Sequence, residues 1–470
     1  MSRINTNISS LQAIHTLTKN NTDLSTRLQR LSTGLKINSG KDAPAALIAS
    51  ETLRSEMSGI NQAIENSERA GNVINTAEGA LSEVSSLLLE VQSLTSQAAN
   101  NGALSSEEIA ANQLQVDSIL SSINRIANTT QFNGVKLLNG SLDYTTSSVD
   151  TTKFSNIRVN SVRLPDNQPM NVVVAVTQSA KTASLGYTGG ALVAGNAVTV
   201  EIAGNKGTEQ LSFAGGTTVA EMVTAVNAIK EATGVSATNS AGALALHSSA
   251  YGAKQYVSLT TVKGTFATVG GITVAKGQDA KVTVNGADAQ ADGLSLTYRT
   301  NNLDLEMQLS AAFNTIGNDD FYITGGGANF ALGSKVTEPN KASLGLASVS
   351  TGRLGDSIDG YLSTLGSGEP NAFSKGNLVR AQRIIDKAVK QVANLRGRLG
   401  AFQKEILESN ANSLSVTLEN VTASESAIRD ADFASETAAL TRAQILVQAN
   451  TSVLAQANSS PQNVLSLLRQ

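Results

Sequence analysis

His15 and His247 are the only imidazoles in the 470 residues, and the chain has no cysteine. General acid–base work near neutral pH starts most often from histidine. Neither residue stands in a His-Glu-x-x-His pattern, and no other metal-ligand spacing occurs. Walker-type and dinucleotide glycine spacings are missing as well. The run Gly325-Gly326-Gly327 reads as a hinge or strand turn rather than a phosphate cradle. No catalytic residue, cofactor or metal is assigned, and the chain does not read as an enzyme.

The patterning that does exist is helical and lies at the two ends. In the last thirty residues, with Leu440 just before them, Ala443, Val447, Asn450, Leu454, Ala457, Val464 and Leu468 fall on one three-and-four spacing, broken where Pro461 takes a register position. Arg442 and Arg469 are the only charged side chains in that length. At the other end Leu11, Ile14, Leu17, Leu24, Leu28, Leu31 and Leu35 repeat by threes and fours, with Asn21 filling the one polar register position, preceded by Ile4 and Ile8. A lone amphipathic helix is marginal in water, and a free terminus frays. These two ends are therefore expected to be meant for each other and for copies of themselves.

Composition limits the remaining choices. Thirty-five bases against 38 acids leave a formal net charge of -3, so no general attraction to nucleic acid follows. Residues 1–42 hold six bases against two acids, a local net of +4, without interleaved aromatics. That reads as a solvated helix face. No apolar run is long enough to cross a bilayer, and the first ten residues lack the apolar stretch of a secretory signal. Abundant Ala, Ser, Thr, Asn and Gly with little charge suits an extracellular assembly held by packing alone.

Along the chain, glycines and Pro44 break the first helix. A rod follows in which Leu53, Met57, Ile60, Ile64, Gly71, Ile74, Leu81, Val84, Leu88, Val91 and Ala98 keep coiled-coil spacing for about 69 Å at 1.5 Å per residue. Ser105 or Ser106 with Glu107 and Glu108 opens a return helix that stops before Asn133-Gly134. Strands are expected at Ile157 to Val162, Val172 to Val176, Val198 to Ile202, Gln210 to Phe213, Leu244 to His247 and Val257 to Thr261, with a helix from Thr217 to Thr233. A hairpin turns at Asn285-Gly286, and strands follow at Ser295 to Tyr298 and Leu303 to Leu309. A second rod runs from about Asn377 to Ser424 through Ile385, Val392, Leu395, Leu399, Phe402, Ile406 and Val421, interrupted mildly at Gly397 and Gly400. The fold class is α+β: long antiparallel helical rods formed by both chain ends, with a β-rich outer domain inserted between them. Residues 1–42 with 431–470 are expected to make one domain and 43–175 with 321–430 a second. Residues 176–320 make an inserted surface domain, read as two pieces, 176–262 and 263–320.

The stretches Arg30-Leu31-Ser32-Thr33-Gly34-Leu35-Lys36-Ile37-Asn38-Ser39, Thr130-Gln131-Phe132-Asn133-Gly134, and Ala443-Gln444-Ile445-Leu446 through Thr451-Ser452-Val453-Leu454-Ala455-Gln456-Ala457-Asn458 to Arg469 closely resemble bacterial flagellin. The resemblance covers roughly Met1 to Leu138 and Phe373 to Gln470, collinear at both ends. It implies a subunit of the flagellar filament, exported unfolded without a cleaved signal, whose terminal segments form the inner tube. Ile4, Ile8, Leu11, Leu24, Leu28, Leu31, Leu35, Leu440, Val447, Leu454, Ala457, Val464 and Leu468 are the expected core-assembly residues. Unlike faces meeting between copies would give an open helix rather than a closed ring.

The resemblance further implies an export apparatus and a chaperone on the C-terminal helix, neighbouring hook-associated and cap proteins, and an innate immune receptor. Leu94 stands where the family's central receptor leucine is expected. Glu90 replaces the expected base, and Gln115 the expected carboxylate, so recognition should be weak. Neither nucleic acid nor membrane is expected as a partner. Two alternatives share these ends: a hook–filament junction protein, and a filament subunit whose outer domain is an adhesin. Chemoreceptor rods would need membrane spans.

Overall fold

The computed structural model describes residues 6–100, 104–164 and 168–468, with side chains as far as Ser459. The chain divides into two compact units, residues 1–68, 331–340 and 405–470 in one, and 69–330 with 341–404 in the other. The helices are α1 (Ile8–Thr33), α2 (Pro44–Ala98), α3 (Ser106–Thr129), α4 (Val219–Ala228), α5 (Lys230–Thr233), α6 (Leu378–Ala401), α7 (Ser409–Arg429) and α8 (Phe433–Leu468).

From Ile60 on, α2 buries a stripe at Ile60, Ala63, Ser67, Ala70, Ile74, Ala77, Leu81, Val84, Leu88, Val91, Thr95 and Ala98, with Leu94 buried beside it. They alternate by three and four without a break, the spacing of a coiled-coil seam. The sequence spacing puts Ile64 and Gly71 on this seam, but both are only half-buried. Small residues, Ala63, Ser67, Ala70 and Ala77, take several of its positions between the large ones. At Gly59 an added Cβ would sit 2.5 Å from the carbonyl oxygen of Ser334, so the 331–340 segment crosses the helix there at backbone distance.

In the second unit α6 runs antiparallel to α2, tied by Gln92 to Asp386 (3.1 Å) and by Arg396 to Glu78 (2.8 Å). The N-terminus of α3 carries the expected cap: Ser105 Oγ accepts from the Glu108 N–H, and the Glu108 carboxylate accepts from the Ser105 N–H. At its far end Gln131–Phe132 and Val135–Lys136 form a hairpin closed by Asn133-Gly134, both at positive φ.

The interruption expected at Gly397 and Gly400 is not found, since both glycines lie inside α6. It comes instead as a π-helical turn over Phe402–Glu408. Phe402 and Leu407 are buried five residues apart, while Ile406, assigned to the stripe in sequence, is 41% exposed. One extra residue per turn advances the phase of the helix. The turn thereby keeps Leu414, Leu418 and Val421 on the inward side of α7, where they are half-buried.

The β structure of the second unit centres on one antiparallel eight-stranded sheet. Its order is Tyr144–Ser147, Gly317–Gly326, Met170–Gln178, Lys281–Val284, Ala287–Asp292, Ser295–Arg299, Leu303–Leu309 and Phe154–Val162. Stretches separated at 175/176 and 320/321 in the sequence reading thus hydrogen-bond into a single sheet. Val172, Val174 and Val176 alternate inward and share one core with Val282, Val284, Leu305, Met307, Phe321 and Ile323. The two edge strands are consecutive in sequence. Phe154 on one edge lies 5.9 Å, ring to ring, from Phe321 on the strand beside the other edge, so the sheet curls. The glycine run ends the strand Gly317–Gly326: a Cβ on Gly326 would meet the Asp143 carbonyl oxygen at 2.2 Å, and one on Gly327 the Tyr144 ring at 2.6 Å. That is the close approach of a strand turn.

Residues 183–266 build a separate core from two smaller sheets and α4, around Ile202, Met222, Val226, Leu244, Leu246 and Val257. Thr218 caps α4 with a capping box to Glu221. The helix expected to continue to Thr233 breaks at Ile229, and the short α5 ends at Gly234 (φ 75°). Asp279 staples the neck of this module by accepting from the Ala253 and Gly293 N–H groups, each at 2.8 Å. Among the described residues no helix is long and apolar enough to cross a membrane.

Candidate assembly surface

The two tail helices α1 and α8 pack antiparallel within one chain. Asn7 starts α1 by accepting from the Ser10 N–H at 3.0 Å, and Gly34 (φ 72°) ends it with its N–H on the Arg30 carbonyl. The chain then makes an antiparallel bridge, Leu35 opposite Asp430, flanked by Lys36 N–H to Arg429 O (2.7 Å) and Ala431 N–H to Gly34 O (2.9 Å). Asp432 opens α8, accepting from the N–H groups of Ala434 and Ser435.

Polar contacts set the register at both ends. Near the bridge, Glu436 receives Arg27 at 2.9 Å and Arg30 at 3.1 Å. Burial pushes the Glu436 carboxyl up, but hydrogen bonds from the two guanidiniums outweigh it and hold the group below the ordinary glutamate range. Toward the other end Asn7 Nδ2 donates to the Ala457 carbonyl at 2.8 Å, and Ser10 Oγ to Asn458 Oδ1 at 2.7 Å. Between them Ala13 and Ala443 are buried.

The C-terminal stripe was expected to find cover both in the N-terminal helix and in copies of the chain, and the first of these is seen. Leu440, Val447, Leu454 and Ala457 are half-buried, on the face turned to α1. Leu24, Leu31 and Leu35 are half-buried too, although Leu35 stands beyond the end of α1, in the bridge. Ile8, Leu11 and Leu28 stay exposed, as does Ile14. Ile4 lies outside the described residues, as do the side chains of Val464 and Leu468. The structure adds a second apolar face on α8 that the stripe did not count: Ile445 is 61% exposed, Val453 55%, and Leu446 is also open. The seven-residue step from Leu446 to Val453 is the signal that marks it in sequence.

Of the expected receptor patch, Glu90 on α2 and Gln115 on α3 are exposed. Leu94 is only 7% exposed and faces the interior of the rods. No group of three or more His, Asp or Glu side chains suited to hold a metal occurs among the described residues.

Three family regions match this chain: the bacterial flagellin N-terminal helical region over residues 4–143, the C-terminal helical region over 382–468, and the flagellin hook IN motif over 199–250. The flagellin of Salmonella typhimurium is 31% identical over 508 residues, covering 99% of each chain. The chain belongs to the flagellin family. The B-type flagellin of Pseudomonas aeruginosa is 29% identical over 531 residues, again covering 99% of both. The hook-associated protein 3 of Legionella pneumophila overlaps 80% of this chain and 97% of its own at 13% identity, with a TM-score of 0.31. As a flagellin the chain is a structural, non-catalytic subunit of the extracellular flagellar filament, with a role in motility.

Proposed function

We propose that the α1–α8 pair is the surface through which this chain builds the core of the filament. The observation that carries the reading is that Ile8, Leu11, Ile14, Ile445 and Val453 remain open to solvent on helices already paired with each other. Exposed apolar faces of this extent belong to interfaces. In a filament the covering surface is another copy, meeting this one by an unlike face. Ile4, Leu24, Leu28, Leu31, Leu35, Leu440, Val447, Leu454, Ala457, Val464 and Leu468 complete the assembly set.

On this reading residues 1–42 with 431–470 form the inner tube and the helical stretches of 43–175 with 321–430 the surrounding rods, while the outward part takes in 176–320 together with the strands of 144–175 and 321–326 that share its sheet. The apolar faces of α8 also serve an export chaperone before secretion, and the assembled subunit meets hook-associated and cap proteins at the ends of the polymer. Recognition by an innate immune receptor is weak: Glu90 and Gln115 offer the wrong charge pattern, and the interior position of Leu94 supports this by leaving little leucine surface to contact.

The test is seeded growth. Purified chain carrying Ile445→Ser with Val453→Ser should keep the helix content of the parent and fail to extend filament seeds. Undiminished extension would overturn the assignment.

A further inference from the structure

We infer that Asn133 is a site of spontaneous covalent modification: in the folded chain its carboxamide is lost to succinimide formation faster than that of either other described Asn-Gly pair. Asparagine followed by glycine is chemically labile because the glycine amide nitrogen meets no side chain as it attacks the asparagine Cγ. The new N–C bond closes a five-membered imide and expels ammonia. Water then opens the ring to aspartate or, by the other carbonyl, to isoaspartate. Water is the only co-reactant.

Three Asn-Gly pairs fall within the described residues: Asn133-Gly134, Asn139-Gly140 and Asn285-Gly286. A fourth, Asn101-Gly102, lies outside them and takes no part in the ranking. All three described asparagines are exposed, so access does not separate them. What separates them is how the carboxamide is held. Asn285 is fastened twice, accepting from the Val173 N–H at 2.8 Å and donating to the Asn171 carbonyl at 3.3 Å. Asn139 is fastened once, accepting from the Ser141 N–H at 3.0 Å. The Asn133 carboxamide makes no hydrogen bond among the described residues. No atom comes within 4 Å of where a Cβ on Gly134 would stand, so the approach to that glycine is open.

A held carboxamide must break its hydrogen bonds before it can rotate toward the attacking nitrogen, and each bond slows the step roughly fivefold. The expected order is Asn133, then Asn139 about fivefold slower, then Asn285 slower by about twentyfold or more. The product matters because Asn133 (φ 49°) and Gly134 (φ 81°) are the two turn residues between Phe132 and Val135. Isoaspartate adds a methylene to the main chain at that point, and a two-residue turn has no slack to absorb it.

The experiment is incubation of the full chain at neutral pH and 37 °C (a common working temperature). Peptide mass spectrometry reads the near-one-dalton gain at each site, and isoaspartyl methyltransferase labelling reads the rearranged product. A parallel incubation in concentrated urea removes the fold. The proposal expects the stated order in the folded chain and convergence of the three rates in urea. Equal rates in the folded chain, or the same order persisting in urea, would overturn it.

Discussion

Arg27 Nη1 reaches Glu436 Oε2 at 2.9 Å, joining residues 409 positions apart. With Arg30 it places two guanidiniums on one carboxylate whose side chain is 10% exposed. This group fixes how far the tail helices slide along each other, because the apolar contacts of the seam repeat every turn and the ion triad does not. The first prediction concerns its strength. Glu436→Gln should cost the α1–α8 pairing about 1–2 kcal/mol, read as roughly tenfold faster hydrogen exchange in both helices. The Glu436 carboxyl is held below its ordinary value, so its contribution is fully present above about pH 4.3 and is lost as pH falls through the lowered value. The difference between parent and variant should close over that acid window. An unchanged difference at pH 2 would exclude the ionic origin.

A second prediction tests the phase shift at Phe402–Glu408. Leu407, 3% exposed, should cost about 2–4 kcal/mol when changed to Ala. Ile406→Ala should cost under about 1 kcal/mol, mostly at the surface. Urea titration of the two variants decides it. If Ile406 proves the costlier position, the helix is not π-helical there in solution.

Small residues in the α2 seam lead to a third prediction. Ala77 is fully buried, so Ala77→Leu should destabilise by about 1–3 kcal/mol through overpacking. A Cβ on Gly71 would meet nothing within 4 Å, so Gly71→Ala should stabilise the monomer by about 0.5–1 kcal/mol through helix propensity. Thermal melts should move in opposite directions.

The fourth prediction concerns how the 183–266 core is held to α6. Arg383 reaches Glu231 on α5 at 2.8 Å and Asp359 at 3.0 Å, while Lys387 reaches Asp359 at 2.6 Å and also contacts Asp356. Glu231 is more than half exposed, so this is a solvated link. A double-mutant cycle with Glu231→Gln and Arg383→Gln should return a coupling of about 0.2–1 kcal/mol. It should shrink further in about 1 M salt, where the Debye length is near 3 Å. A coupling well above that range would mean the pair is shielded from water.

Much of the helical framework is legible from spacing alone. The stripe from Leu440 to Ala457, the long run into Ala98, the Ser105 cap and the Asn285-Gly286 turn each follow from local rules, because a period of three and four or a turn dipeptide needs no knowledge of distant residues. The strand Ala287–Asp292 and the edge strand Tyr144–Ser147 were not legible. Each is short and polar on one or both faces, and what makes it a strand is a partner elsewhere in the chain.

The amino-acid order by itself determined that both ends are amphipathic helices, that the chain carries two histidines and no cysteine, and that the ends resemble flagellin. It determined these because periodicity, composition and motif are properties of neighbouring residues. Which face of α8 is spent on α1 and which stays open, whether Ile406 or Leu407 points inward, and which Asn-Gly pair is left unfastened were decided only by the tertiary structure. Those outcomes depend on atoms distant in sequence, such as Arg27 at Glu436 and Val173 at Asn285, and on a one-residue change of helical phase that apolar spacing does not record.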